Sequence, residues 1–116
     1  MNGVLLIDKP QSCTSHDVVD RIRKILKTKS VGHAGTLDPL ATGLLVMLIG
    51  DGTKLSQYVM DENKAYRVKV LLGQKTDSGD VTGQAVATQD VPSLTPDQIE
   101  KAVASLVGTI NLPVPL

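Results

Sequence analysis

The sequence contains no phenylalanine and no tryptophan, and Tyr58 and Tyr66 are its only aromatic residues. A core must therefore come from Leu, Val, Ile and Ala. Any function that stacks a ring on a base or sugar has two tyrosines and two histidines, His16 and His33, to draw on. Cys13 is the single cysteine, which excludes an internal disulfide and denies a zinc site its usual thiolate pairs. Net charge is lacking too: 12 basic residues stand against 12 acidic ones, so composition carries no nucleic-acid signal. No basic and apolar signal sequence opens the chain. The longest apolar run, Leu44 to Ile49, is far short of the roughly 20 residues that a spanning helix needs. A reducing, cytoplasmic setting is the expectation.

What is present is ordinary globular composition, with 41% apolar and 21% charged residues in 116. That length suits one domain, which would bury roughly 60 to 70% of the surface its unfolded chain exposes. Charge is unevenly spread. Arg21, Arg23, Lys24, Lys27 and Lys29 fall in an acid-free stretch, whereas Asp77, Asp80, Asp90, Asp97 and Glu100 weight the second half. A solvated helix face is the commoner origin of such a basic cluster, and a surface that tracks phosphates is the alternative.

The most unusual stretch runs from Gly32 to Gly43, GHAGTLDPLATG, with three glycines and one proline. Those residues disfavour a helix or a central strand, and apolar runs on either side would bury the ends. It reads as a rigid loop. Its one acid, Asp38, directly precedes Pro39, whose ring restricts it to extended backbone.

Around this loop the chain divides into predicted elements. Gly3 to Asp8 is an apolar run that reads as a strand buried on both faces and ended by Pro10. Thr14 and Asp17 have capping-box spacing, and Val18, Val19, Ile22, Ile25 and Leu26 mark one face of a helix over 15–27. Leu44 to Ile49 reads as a central strand. Asp51 or Thr53 is a candidate cap for a second helix through about Met60, with Leu55, Tyr58 and Val59 inward. Alternation over 64–72 predicts a half-exposed strand that begins near Tyr66. Gly73 to Asp80 reads as a polar loop, and Val81 to Thr88 as a weaker strand interrupted by Gly83. Thr95-Pro96-Asp97-Gln98 predicts a capped helix that stops at Gly108.

Asp38, as a carboxylate on a rigid loop, can serve as nucleophile, general base, metal ligand or loop brace. An Asx turn before the proline is the commonest of these. His33 can act as a base, a stacking surface or a loop hydrogen-bonder. Metal binding is poorly supported, because no second histidine or carboxylate falls at close ligand-like spacing. Gly50-Asp51-Gly52-Thr53-Lys54 lacks the four-residue gap of a nucleotide loop. Tyr66 can stack on a base or sit half-buried in a core.

Several strings together resemble the N-terminal part of the TruB family of tRNA pseudouridine synthases. They are Asn2 to Pro10, Thr14 to Val19, Gly32 to Gly43, Thr53-Lys54, Lys64-Ala65-Tyr66 and Leu72 to Asp77. The resemblance implies an α+β fold with a mixed, largely antiparallel sheet and flanking helices, present only in part. Residues 1–116 would be the N-terminal portion of the catalytic domain, without its C-terminal half or any C-terminal RNA-binding domain. It implies an isomerase that converts a uridine in the T loop of tRNA to pseudouridine without cofactor or metal. Asp38 matches the nucleophile, Tyr66 the tyrosine that stacks on the target base and is implicated in proton transfer, and His33 a histidine that helps hold the RNA loop. Lys9-Pro10 matches a motif taken here as packing against the catalytic loop. The basic cluster from Arg21 to Lys29 is expected to contact phosphates near the site. The partner would be the tRNA T stem-loop, met by a monomer. Gly108 to Leu116 departs from the family pattern, and the basic residue that should pair with the aspartate is not in the sequence. An inactive RNA-binding fragment and a guide-dependent relative acting on ribosomal RNA are the alternatives.

Overall fold

The computed structural model describes residues 1–113 and divides into two compact units, Met1–Ala65 and Tyr66–Leu116. Both are built from antiparallel strands with helices, so the α+β class read from the sequence is what the chain adopts.

In the first unit, β1 (Gly3–Lys9), β2 (Val31–Ala34) and β3 (Gly43–Ile49) form an antiparallel sheet in the order β1-β3-β2. The predicted central strand is central. Its register pairs Ile7 with Leu45 on one side and His33 with Met47 on the other. Residues paired this way share a sheet face. Against that face lies α1 (Ser15–Leu26), opened by the predicted capping box: the Asp17 amide donates to the Thr14 hydroxyl, and the Thr14 amide donates to the Asp17 carboxylate. Lys27 ends it in the left-handed conformation, at φ 53°. The core comprises Val18, Val19 and Ile22 of α1 with Val31, Leu45, Met47 and Ile49, flanked by Ile7, Cys13 and Leu26.

Several expectations change here. The Gly3 to Asp8 run is a strand, but at the sheet edge, and Val4 and Leu6 on its second face are exposed. An apolar run gives strand propensity; it does not supply a covering layer. Ile25 is exposed as well. Gly32 to Ala34 and Gly43 belong to strands, so the loop proper is 35–42. Beyond β3 the chain makes a 3-10 turn (Gly50–Leu55) and only then α2 (Ser56–Met60), with no side-chain cap on either. Asp51 instead pairs with Lys54, and the Thr53 hydroxyl donates to the Gly50 carbonyl. Leu55 and Tyr58 are exposed and Val59 is half-buried. Gly52 packs on the Gly3 backbone so closely that a side chain there would collide with it.

In the second unit β4 (Gln74–Thr76) pairs with β5 (Ala85–Thr88), and α3 (Pro96–Ala104) follows. Its capping box joins Thr95 and Gln98, with Pro96 in the first turn, as predicted. The helix ends at Ala104, four residues before Gly108. The strand expected over 64–72 is not formed, and these residues are exposed. Alternation marks a segment able to pair, but a strand exists only with a partner for its ladder, and none is present among the described residues. Part of the expected polar loop, Gln74 to Thr76, is strand β4. The last three residues of Gly108 to Leu116, the segment expected to depart from the family pattern, lie outside the described residues.

Candidate active site

Asp38 sits on the loop between β2 and β3. Its carbonyl accepts a hydrogen bond from the Ala41 amide at 2.9 Å. Asp38-Pro39-Leu40-Ala41 is thus a β-turn with proline at its second position, where the ring favours the required φ. The turn is closed by backbone, and the carboxylate plays no part in it. Exposed to solvent, that carboxylate makes no hydrogen bond or ion pair among the described residues. The Asx brace expected as the commonest role is not formed.

The residues on either side of Asp38 are held. Leu37 is gripped by Ser15, whose side chain is 2% exposed: the Leu37 amide donates to Ser15 Oγ at 2.9 Å, and Oγ lies 3.2 Å from the Leu37 carbonyl. Pro39 is held through its carbonyl, which accepts from the Ser12 amide at 2.9 Å and from Lys9 Nζ at 3.3 Å. Ser12 adopts φ 66° to do so, a conformation uncommon for a residue with a side chain. Lys9 is wholly buried, and its Nζ also donates to the carbonyls of Pro10 at 2.9 Å and Cys13 at 2.8 Å. An ammonium carries three N–H donors and no acceptor, so three carbonyls satisfy it fully. The side chain that ends β1 thereby ties the 10–14 turn to the Asp38 turn.

His33, half-buried at the end of β2, places Nδ1 2.6 Å from the Gly35 carbonyl. A carbonyl can only accept, so Nδ1 carries a proton, which leaves Nε2 as the ring nitrogen facing away from this bond. Gly35 turns the chain out of the strand at φ 88°, a conformation costly for residues with a side chain. His33 and Asp38 therefore belong to one continuous strand and loop. Tyr66 is the first residue of the second unit, exposed and outside any helix or strand.

The basic cluster is strung along α1 away from this loop, beginning with Arg21 about 9 Å along the axis from Ser15. Ser15 opens α1 beside Leu37, and the helix carries the chain about 18 Å away at 1.5 Å per residue. Arg23, Lys24, Lys27, Thr28 and Lys29 line an open depression of about 290 Å³ at the far end. Arg23 is committed to the fold, donating to the Val31 carbonyl at 3.0 Å and pairing with Asp20 at 3.3 Å.

Two carboxylates are electrostatically tuned by local hydrogen bonds. Asp17 is held below the ordinary aspartate value first by the Thr14 amide and then by the Thr14 hydroxyl. Asp80, in the β4 to β5 turn, is lowered first by the Thr82 hydroxyl and then by the Thr82 amide, with Ser78 adding to them. Asp77 in the same turn accepts from the Gln84 amide at 2.9 Å. This self-bonded DSGD turn was read only as a polar loop in the sequence.

The profile of the family described as "TruB family pseudouridylate synthase (N terminal domain)" matches residues 23–116. The chain belongs to the TruB family. The matched TruB segment includes His33, Asp38 and Tyr66, whereas Lys9 and Ser15 precede it; it also runs through Gly108 to Leu116, so the departure expected there is corrected. Alignments to TruB relatives reach further. "tRNA pseudouridine synthase B" of Syntrophotalea carbinolica is 49% identical over 111 residues, 96% of this chain and 36% of that protein. The protein of the same name from Microcystis aeruginosa is 51% identical over 110 residues, 95% of this chain and 37% of its own length. That of Caldicellulosiruptor saccharolyticus is 47% identical over the whole chain and 40% of its own length. The chain thus spans well under half the length of the curated TruB relatives it matches. A solved structure of an H/ACA RNP bound to a substrate RNA containing 2'-deoxyuridine is 45% identical, with a TM-score of 0.47, over 48% of this chain and 18% of that one.

Among the described residues, no group of three or more His, Cys, Asp or Glu side chains could hold a metal ion, and no helix is long and apolar enough to cross a membrane.

Proposed function

We propose that the chain is the N-terminal portion of the catalytic domain of a tRNA pseudouridine synthase, that it acts on a uridine in the T loop, and that Asp38 is its nucleophile. Family membership and the names of the relatives support the reaction class. The observation that carries the residue assignment is the state of Asp38: an exposed, unpartnered carboxylate on a loop whose flanking residues are both fixed by buried side chains.

In the reaction as proposed, the RNA loop delivers a nucleoside taken out of its stack, at a cost of a few kcal/mol. The Asp38 carboxylate attacks the sugar carbon as its bond to N1 of uracil breaks, the base rotates, and C5 bonds to that carbon as the bond to Asp38 breaks, which frees the carboxylate. C5 gives up its proton and N1 takes one, so the step is a redox-neutral isomerisation that needs no cofactor. Tyr66 is assigned to stack on the target base and to assist proton transfer. His33 would help hold the RNA loop, where its Nε2 can hydrogen-bond with a base edge or a ribose hydroxyl. The partner is the T stem-loop of tRNA, met by a cytoplasmic monomer. The Arg21 to Lys29 cluster would contact phosphates of the same RNA further along α1 from the target nucleoside.

Tritium release from C5-labelled uridine in an unmodified T stem-loop tests the assignment. The polypeptide that carries these residues should release tritium, and its Asp38→Ala variant should not. RNA binding without turnover in both would overturn the enzyme reading, and turnover confined to guide-hybridised ribosomal RNA would reassign the substrate.

A further inference from the structure

We propose that Ser15 is a positioning residue for the Asp38 carboxylate, a role that rests on the reading of Asp38 as nucleophile. Ser15 is the first residue of α1, directly after the Thr14 cap, and it is 2% exposed. A serine at a helix start has two common uses, capping the helix or facing solvent. Ser15 serves neither, because Thr14 already caps α1 and Oγ is turned instead to a residue 22 positions away. There it meets both polar groups of the Leu37 peptide backbone, the amide at 2.9 Å and the carbonyl at 3.2 Å.

The consequence follows from chain geometry. Leu37 immediately precedes Asp38, and the proline after Asp38 already restricts its backbone. With the Leu37 backbone fixed on one side and the Pro39 carbonyl held by Ser12 and Lys9 on the other, little freedom is left to the Asp38 Cα. The carboxylate itself is exposed and unpartnered, so its aim depends on the backbone. Ser15 supplies one of the two anchors, and its anchor rests on the most strongly packed helix of the unit, whose Val18, Val19 and Ile22 lie in the core. Reactive groups lose rate steeply when displaced, by about 100-fold for roughly 1 Å. Losing one hydroxyl here should therefore appear in the chemical step and leave RNA binding alone.

The experiment compares Ser15→Ala, Ser15→Thr and Ser15→Cys in the native polypeptide, using tritium release at saturating and sub-saturating T stem-loop, with amide hydrogen exchange at Leu37. Ser15→Ala should lower kcat by about 10- to 100-fold, leave KM within about twofold, and speed exchange at Leu37. Ser15→Thr, which keeps the hydroxyl, should restore kcat. Unchanged kcat in a folded Ser15→Ala with faster Leu37 exchange would overturn the proposal, as would a fall carried entirely by KM. If Ser15→Ala does not fold, the other two variants decide: retained kcat in Thr with loss in Cys supports it, and equal kcat in both overturns it. Asp38→Asn, run alongside, separates the two readings. A dead Asp38→Asn beside a fully active Ser15→Ala removes only the positioning role, whereas an active Asp38→Asn removes the nucleophile.

Discussion

The two units carry similar sequence signals and reach different states of packing. In Met1–Ala65, α1 presents Val18, Val19 and Ile22 to a sheet face and all three are buried. In the unit that begins at Tyr66, α3 has a capping box of the same design and apolar residues Ile99 and Val103, yet these are 48% and 60% exposed. No described residue of that unit is buried. Capping is a local matter, satisfied by residues three positions apart, so it succeeds in both. Burial needs a second layer. The first unit provides one in the three-stranded sheet, and the two-stranded β4 and β5 ribbon does not, since a hairpin alone is marginal in water.

Core truncation should break the symmetry between the units most visibly. Leu45→Ala, at a side chain 1% exposed, should cost about 2–5 kcal/mol in equilibrium urea unfolding. Ile99→Ala should cost no more than about 0.5 kcal/mol. A comparable loss at Ile99 would show that the second unit has a working core, and the contrast would fall. The caps give a smaller effect. Thr14→Ala should destabilise the first unit by about 1 kcal/mol, whereas Thr95→Ala should mainly speed amide exchange in the first turn of α3 and leave the urea midpoint of Met1–Ala65 unmoved.

Acid gives the smallest effect and treats both units alike. The folded-state values of Asp17 and Asp80 lie below the ordinary 3.8, so each contributes stability that is fully present above that value. The contribution is lost as pH falls through the depressed folded value. NMR titration should find both carboxyls titrating below 3.8, and Asp17→Asn should flatten the acid limb of the first unit's stability. A normal titration of Asp17 would show that the capping box is open in solution.

How much of this was legible in the sequence follows the same division between local and tertiary. The starts of α1 and α3 were readable to the residue, because the Thr14 and Asp17 spacing and the Thr95, Pro96 and Gln98 spacing encode their own hydrogen bonds. The central position of Leu44 to Ile49 was readable from its apolarity. The strand expected over 64–72 was not formed, because alternation describes the segment and says nothing of its partner. Asp38, His33 and Tyr66 stood out from the residues themselves, but their roles came only through the family strings, and the freedom of the Asp38 carboxylate could not be read at all. Lys9 was read as packing alone; that its Nζ reaches Pro39 depends on β1 and the Asp38 turn meeting in space. Ser15 gave a weaker sign, a second hydroxyl directly after a cap that had no need of it.

The role of Asp38 as a free chemical group and not a brace is decided by one variant measured two ways. Asp38→Asn keeps the shape and removes the charge. Tritium release from C5-labelled uridine in a T stem-loop should fall to background, while the urea midpoint shifts by no more than about 0.5 kcal/mol in stability, the range of surface substitutions. Retained turnover, or a loss of turnover that tracks a loss of stability of several kcal/mol, would contradict it.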